Sequence, residues 1–422
     1  MLDRPLSSIQ GNILKSFARD SARYLMLRFS EGAGADLCSR LGRILPNYVT
    51  SAWCQAEMTE RWKQSGKKNG ATASVGMFGL SYSGYQRLGR QVRACTDPEL
   101  GSSLFQDGFG HGKYWPGSVD AWQPSYRNGL DAFLMLADSD AGRLTALTDK
   151  ARRDLEGTAD VVLEECGSRL YADPSCTTEI EHFGFRDQVS RGVDPETLLT
   201  EESDSNPDSG VGCFAVFMKI EQHIDKFRQQ VDELSSLYAK LHAPFPANEV
   251  RASTVGRYPD GRPMASTNGG LDDFDFRDAT DADRCPMQAH IRVMNPRDGK
   301  LSIPVVRRGI PYGPPASDGA PSDAARGLLF LGLHRSLLDF LGLMARATSL
   351  RDPLLSQSNL WDSTSTGPTH CPHGFRAQRW KIEGVEACYP FADVTTIRGG
   401  EYFYIPSMDF IHRLDSSKGA AG

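Results

Sequence analysis

Long apolar runs are missing from this chain. No stretch approaches the roughly 18 consecutive apolar residues of a membrane-spanning helix, so none is predicted. The opening Met1-Leu-Asp-Arg-Pro-Leu-Ser-Ser8 carries neither the apolar core of a secretory signal nor a twin arginine. Paired cysteines are also lacking. The nine that occur are scattered and odd in number, which points to reduced thiols in a cytoplasmic setting rather than a disulfide scaffold. Strong charge of one sign is absent: the net charge is −6, and no basic stripe is interleaved with aromatics, which argues against nucleic acid as a partner. Phosphate-loop chemistry is excluded because neither Gly101–Gly108 nor Gly108–Gly112 is followed by Gly-Lys-Ser/Thr. His370-Cys-Pro-His373 is half a zinc site without its second pair, and reads as a loop without metal. Asp272–Asp278 lacks the glycine and terminal glutamate of a calcium loop, and reads as a hydrogen-bonded turn.

What is present describes a soluble globular protein. The length of 422 residues favours two to three domains, and 40% hydrophobic content suffices for a large core and a buried cofactor. The first half predicts a strand over 22–29, a helix near 35–46, a strand over 73–80, a short helix over 83–88, a buried strand over 130–137 and an amphipathic helix over 140–156. The second half repeats this grammar. A strand over 212–220 leads into a helical stripe of Ile224, Phe227, Val231, Leu234, Leu237 and Leu241. A strand over 327–333 and a helix over 337–344 follow. These segments are too irregular for a continuous parallel sheet, and two ferredoxin-like α+β units fit better. The acidic, turn-rich residues 197–211 read as the linker between domains 1–196 and 212–422. Residues 313–326 and 362–373 read as loops, and 416–422 as a frayed end.

The chemistry concentrates in Cys285-Pro-Met-Gln-Ala-His290-Ile-Arg-Val-Met-Asn-Pro-Arg297, followed by Arg307-Arg308-Gly-Ile-Pro-Tyr-Gly313. A buried neutral imidazole at His290 is a good axial ligand for iron. Taken alone, a core histidine is the commoner case. A buried Arg307, with no acid beside it in sequence, calls for an anion. Glu181-His-Phe-Gly-Phe-Arg-Asp187 adds an acid in a tight apolar loop. An imidazole holding iron, an acid that moves the proton of bound peroxide, and a cation facing the developing charge are the parts of a haem peroxidase. Arg308 reads as structural. Trp380, Tyr389, Trp361 and Tyr312 are candidates to relay electrons, although aromatics are mostly core.

At this point the sequence resembles a known family, the dye-decolourising peroxidases, along most of its length. The resemblance rests on Ile9–Lys15, Phe183–Asp187, Gly212–Gln222, Val255–Pro263, Arg284–Arg292, Arg308–Gly313 and Gly399–Pro406. It implies an α+β fold of two ferredoxin-like domains, in the manner of a dimeric α+β barrel, with one haem b per chain. It implies His290 as the proximal iron ligand, Asp187 as the distal acid beside Gly184, and Arg307 as the distal cation. Arg297 would meet a haem propionate, Leu328 and Phe330 would line the distal pocket, and Asp352 would orient His290. Phe185 and Gln188 belong to the same cofactor-binding set. The family motif has glycine where this chain has Gln188, so the loop changes shape or an amide is added near the haem edge. The implied activity is reduction of hydrogen peroxide and oxidation of an aromatic or dye-like donor through a ferryl intermediate, by a cytoplasmic monomer or homo-oligomer. The alternatives are a haem enzyme specialised for one biosynthetic metabolite, and a non-catalytic haem-binding protein. The tail 414–422 carries no convincing apolar packaging tag.

Overall fold

The computed structural model describes residues 5–415 apart from 32–33, 66–72, 91–103, 111–118, 174, 188–193, 202–209, 266–269, 273, 275, 277–283, 296–304, 316–323 and 356–377. Strands β1 (Ser21–Phe29), β2 (Val75–Leu80), β3 (Ala132–Asp138) and β4 (Ala159–Ser168) form the first half. Two short strands, β5 (Leu170–Tyr171) and β6 (Glu179–Ile180), pair with each other, and β7 (Thr200–Glu201) pairs with β8 (Val211–Gln222). β8 opens the second half, which continues with β9 (Val306–Arg307), β10 (Ile310–Tyr312), β11 (Gly327–His334), the hairpin β12 (Gln378–Ile382) and β13 (Val385–Tyr389), and β14 (Thr395–Ile405).

Apart from β5–β6 and the β12–β13 hairpin, these strands build one sheet in the order β10-β11-β8-β14-β2-β3-β1-β4, with β7 and β9 paired at its flank. Numbered by appearance within each half, both halves read fourth-first-third-second. This is the ferredoxin-like order, and helices such as Ala141–Leu155 and Ile224–Lys240 fill the crossovers. The halves join where β14 meets β2. At the far edges β4 packs against β10, so closely that a Cβ on Gly167 would lie 2.3 Å from Ile310 Cγ2. The sheet therefore curls into a barrel with its two ends in contact.

The interior holds Tyr24, Phe133, Phe217 and Phe403, with neighbouring ring centroids 4.9–6.0 Å apart. Among these rings sits a charged pair. Lys219 Nζ on β8 donates to both carboxylate oxygens of Glu165 on β4 at 2.8 Å, and Tyr126 donates to the same carboxylate. The pair joins one strand of each half across the barrel.

Alternation along β11 separates inside from outside. Leu329, Leu331 and Leu333 are fully buried in the barrel, whereas Leu328 and Phe330 face outward and stay half-buried. Outside, the helix Leu337–Leu350 lays Leu337, Phe340, Leu343, Met344 and Ala347 against the sheet; Ser336 caps its first turn and left-handed Arg351 (φ +56°) ends it. The helix Ile224–Lys240 keeps the expected stripe of Ile224, Phe227, Val231 and Leu234. Tyr238 then takes the inward position while Leu241, past the last helical turn, is exposed.

Candidate active site

The turn at Arg351 sets the first contact. Asp352 follows it with no exposed surface, and both carboxylate oxygens are engaged. Oδ1 accepts from Leu354 N at 2.9 Å, and Oδ2 accepts from His290 Nδ1 at 2.7 Å. With its proton on Nδ1, the imidazole carries a lone pair on Nε2, which has no hydrogen-bond partner among the described residues. His290 opens the short helix His290–Met294, between buried Ala289 and Ile291. That helix is tied down by Arg346, which donates to Val293 O at 2.7 Å. The segment before it is held by Gln288, which donates to Arg379 O at 2.9 Å.

Two expectations need correction. His290 is not buried: its side chain is 28% exposed, because only the Nδ1 edge is packed on Asp352. Arg307 is not the buried arginine of its pair. Strand alternation turns Val306 inward and leaves Arg307 exposed. Arg308 is the arginine held by protein, donating to Asn12 O at 2.6 Å and Ile13 O at 2.8 Å, with burial drawing its pKa down to about 10. It binds the Gln10–Ile13 segment to the second half, as a structural residue does.

Arg307 lies opposite Gly332 in the ladder, so its side chain leaves the sheet on the face of Leu328 and Phe330. Among the described residues its guanidinium has no ion pair. The acid approaches from the other half. Glu181 folds the loop on itself by accepting from Phe183 N and Phe185 N, each at 2.9 Å, and its carboxyl is pushed up by burial. Gly184 takes φ +82°, a left-handed conformation that glycine supplies without strain. Phe183 stacks on Phe227 at 4.4 Å, and Phe185 packs between Phe227 and the Arg251 guanidinium. His182 Nε2 donates to Tyr312 O at 2.8 Å and docks the loop on β10. Asp187 is thereby held at a cleft that it shares with Ser16, Arg169, Glu179, Gly309 and Ile310, the last two lying two and three residues beyond Arg307. Burial raises the Glu179 carboxyl despite Arg169, and the Asp187 charge adds to the rise.

The structure thus places His290 with Asp352, Arg307 with Leu328 and Phe330, and Asp187 beside the segment that carries Arg307. Arg297, Gln188, Trp361, His370 and His373 lie outside the described residues. Trp380 is wholly buried, and its Nε1 donates to Tyr389 O at 3.0 Å. One group escaped the sequence reading. His334, fully buried at the end of β11, has a partner for neither ring nitrogen among the described residues. Period-two counting from Leu328 and Phe330 would have placed it on their face.

The donor set fits haem better than a bare ion. Among the described residues no three His, Cys, Asp or Glu side chains gather as a metal cage. A haem iron brings four nitrogens of its own and asks the protein for one axial imidazole. His290 Nε2 is such a donor, with its second nitrogen already held by a carboxylate. The outward face of Leu328 and Phe330 is an apolar wall of the kind a macrocycle covers.

No protein-family model matches the chain. It is 28% identical to the multifunctional dye peroxidase DyP2 of an Amycolatopsis strain, over 97% of this chain and 96% of that protein. It is 27% identical to the dye-decolorizing peroxidase msp1 of Mycetinis scorodonius, over 56% of each chain. The solved structure of the Amycolatopsis DyP2 superposes with a TM-score of 0.76 at 26% identity, covering 97% of this chain and 96% of that one. A DyP-type peroxidase from Anabaena gives 0.76 at 23% identity, over 97% and 94%. In sequence and in fold, over nearly its whole length, this chain is similar to dye-decolourising peroxidases.

Proposed function

We propose that the chain is a haem peroxidase that reduces hydrogen peroxide and oxidises an aromatic or dye-like donor, with one haem b per chain. The observation that carries this reading is the His290–Asp352 pair: a carboxylate-fixed imidazole whose Nε2 has no hydrogen-bond partner among the described residues. Bound haem supplies redox-active iron, which His290 Nε2 would hold. Asp352 fixes the tautomer and strengthens the imidazole as a donor by accepting its other N–H. Asp187 takes the proton from one peroxide oxygen and returns it to the other, which leaves as water. Arg307 faces the charge that develops as the O–O bond breaks. Two donor molecules then give one electron and one proton each, and the second oxygen also leaves as water, so that one peroxide becomes two waters. Leu328 and Phe330 wall the pocket and limit water.

The remaining assignments belong to the same reading. Arg297 would meet a propionate, Gln188 and Phe185 would border the cofactor, and the two halves would correspond to domains 1–196 and 212–422. A cytoplasmic location is supported by the scattered, odd-numbered cysteines. Among the described residues no helix is long and apolar enough to cross a membrane. The test is one equivalent of peroxide added to ferric holoprotein, followed by a dye. Loss of the ferric spectrum and dye bleaching, both slowed by Asp187→Ala and by Arg307→Leu, are expected. A peroxide reaction unchanged by either substitution would instead make this a haem-handling protein.

A further inference from the structure

His334 is a costly residue to place where it stands. A buried polar group without a hydrogen bond destabilises a fold, and such groups in native structures call for an explanation. The imidazole has no exposed surface, and among the described residues neither nitrogen has a partner. Burial draws its pKa down to about 4, so it is neutral near neutral pH and can accept a hydrogen bond at one nitrogen. Its surroundings are largely aromatic: Phe340 lies 5.8 Å away between ring centroids, and Phe214 is its neighbour across the ladder.

The strand register says what stands next to it. His334 shares the outward face of β11 with Leu328, Phe330 and Gly332. Gly332 has no side chain, and the space a Cβ would fill there is bordered by the Phe330 ring at 2.8 Å and His334 Nε2 at 3.1 Å. Across the ladder from Gly332 is Arg307. Phe330 and His334 are therefore the diagonal neighbours of Arg307, at about 7–8 Å between backbones, which a long side chain spans. Arg307 offers five N–H donors and, among the described residues, has no ion pair. An unpartnered acceptor and an unpartnered cation thus occupy adjoining positions on one face.

We propose that His334 is a positioning residue: the two side chains are not hydrogen-bonded in this structure, and the Arg307 guanidinium turns to donate to the imidazole, which then holds that cation toward the cofactor-facing side of the sheet. The inference rests on the peroxidase reading and assigns Arg307 a support from within the same strand pair. Glycine at 332 puts no Cβ between the two, and the Phe330 ring beside it is the group that gives way as Arg307 reaches the imidazole.

Sodium fluoride binding to ferric holoprotein, read from the absorption spectrum, tests this without turnover, because a bound fluoride is stabilised by a correctly held distal cation. His334→Leu is expected to weaken fluoride binding about tenfold, the size of one hydrogen bond to a charged group, and His334→Gln to restore most of it. In an Arg307→Leu background, His334→Leu is expected to have no further effect. If His334→Leu does not fold, His334→Phe, closer to the ring in shape, takes its place. Fluoride affinity unchanged by His334→Leu, with a higher unfolding midpoint, makes the imidazole a mere space-filler and overturns the proposal. So does an equal loss in the presence and absence of Arg307. A parent protein that takes up no haem overturns the peroxidase reading and this inference together, and so is told apart from failure of the inference alone.

Discussion

Asp352→Asn should cost haem affinity and leave the fold standing. The carboxylate presents two acceptors, one to Leu354 N at 2.9 Å and one to His290 Nδ1 at 2.7 Å. An amide of the same shape presents one acceptor and one donor. If its oxygen stays on Leu354 N–H, its NH₂ faces the Nδ1–H, and the imidazole must move its proton to Nε2, the nitrogen proposed to hold iron. If the amide flips, His290 keeps its tautomer, but the backbone N–H of Leu354 loses its acceptor, at about 1–3 kcal/mol. Loss of the carboxylate behind a metal-bound histidine typically lowers metal affinity about 10- to 100-fold, or roughly 1.4–2.7 kcal/mol. Titrating haem into apoprotein and following the Soret band measures the ratio directly. Resonance Raman should show a weaker iron–histidine stretch. A haem Kd within about twofold of the parent and an unmoved stretch, against the usual loss, would mean that Asp352 only caps Leu354.

The two neighbouring arginines should part company. Arg307→Leu is expected to leave urea stability within about 0.5 kcal/mol, as at other exposed positions, and to slow the peroxide step about 10²- to 10³-fold in stopped flow. Arg308→Leu should instead strip the hydrogen bonds from Asn12 O and Ile13 O and destabilise the fold by about 2–4 kcal/mol. Lys219→Met leaves Glu165 buried without its cation and should lower stability by about 3–5 kcal/mol in the same assay, much of it recovered by adding Glu165→Gln. Burial raises the Glu401 carboxyl from its ordinary 4.5 to about 7, against hydrogen bonds from Phe109 N and Tyr402 N that lower it. The folded state therefore holds this proton after the unfolded chain has released it. Stability from this group is full below about pH 4.5 and falls, by on the order of 3 kcal/mol, as pH rises to about 7. Urea midpoints across that range should show the fall, and Glu401→Gln should flatten it.

The strands buried on both faces were legible in the sequence. β2, β3 and β8 read as near-continuous apolar runs, and the structure places them within a residue or two of the expected bounds. β4 was not, because its exposed and half-buried positions carry Asp160 and Glu164 and an inward one carries Glu165, which is tolerated only through Lys219, 54 positions away. β9 and β10 are too short to show a period and exist through pairing with β11. The barrel closure is also invisible in sequence, since it depends on Gly167 meeting Ile310. At the candidate site, exposure was not readable. Alternation decides which of Arg307 and Arg308 turns inward, and the frame of that alternation is set by β11. The proximity of Asp352 to His290 required the left-handed turn at Arg351, which local sequence does not specify.

Haem titration of the apoprotein, parent beside His290→Ala, tests most directly whether His290 Nε2 is the iron ligand. The parent should take up one equivalent with a sharp Soret band and the optical signature of a histidine-bound ferric iron. His290→Ala should lose that signature, and added imidazole should restore it. Equal affinity and an identical spectrum for the two proteins would contradict the assignment of His290, and with it the placement of the distal groups above it.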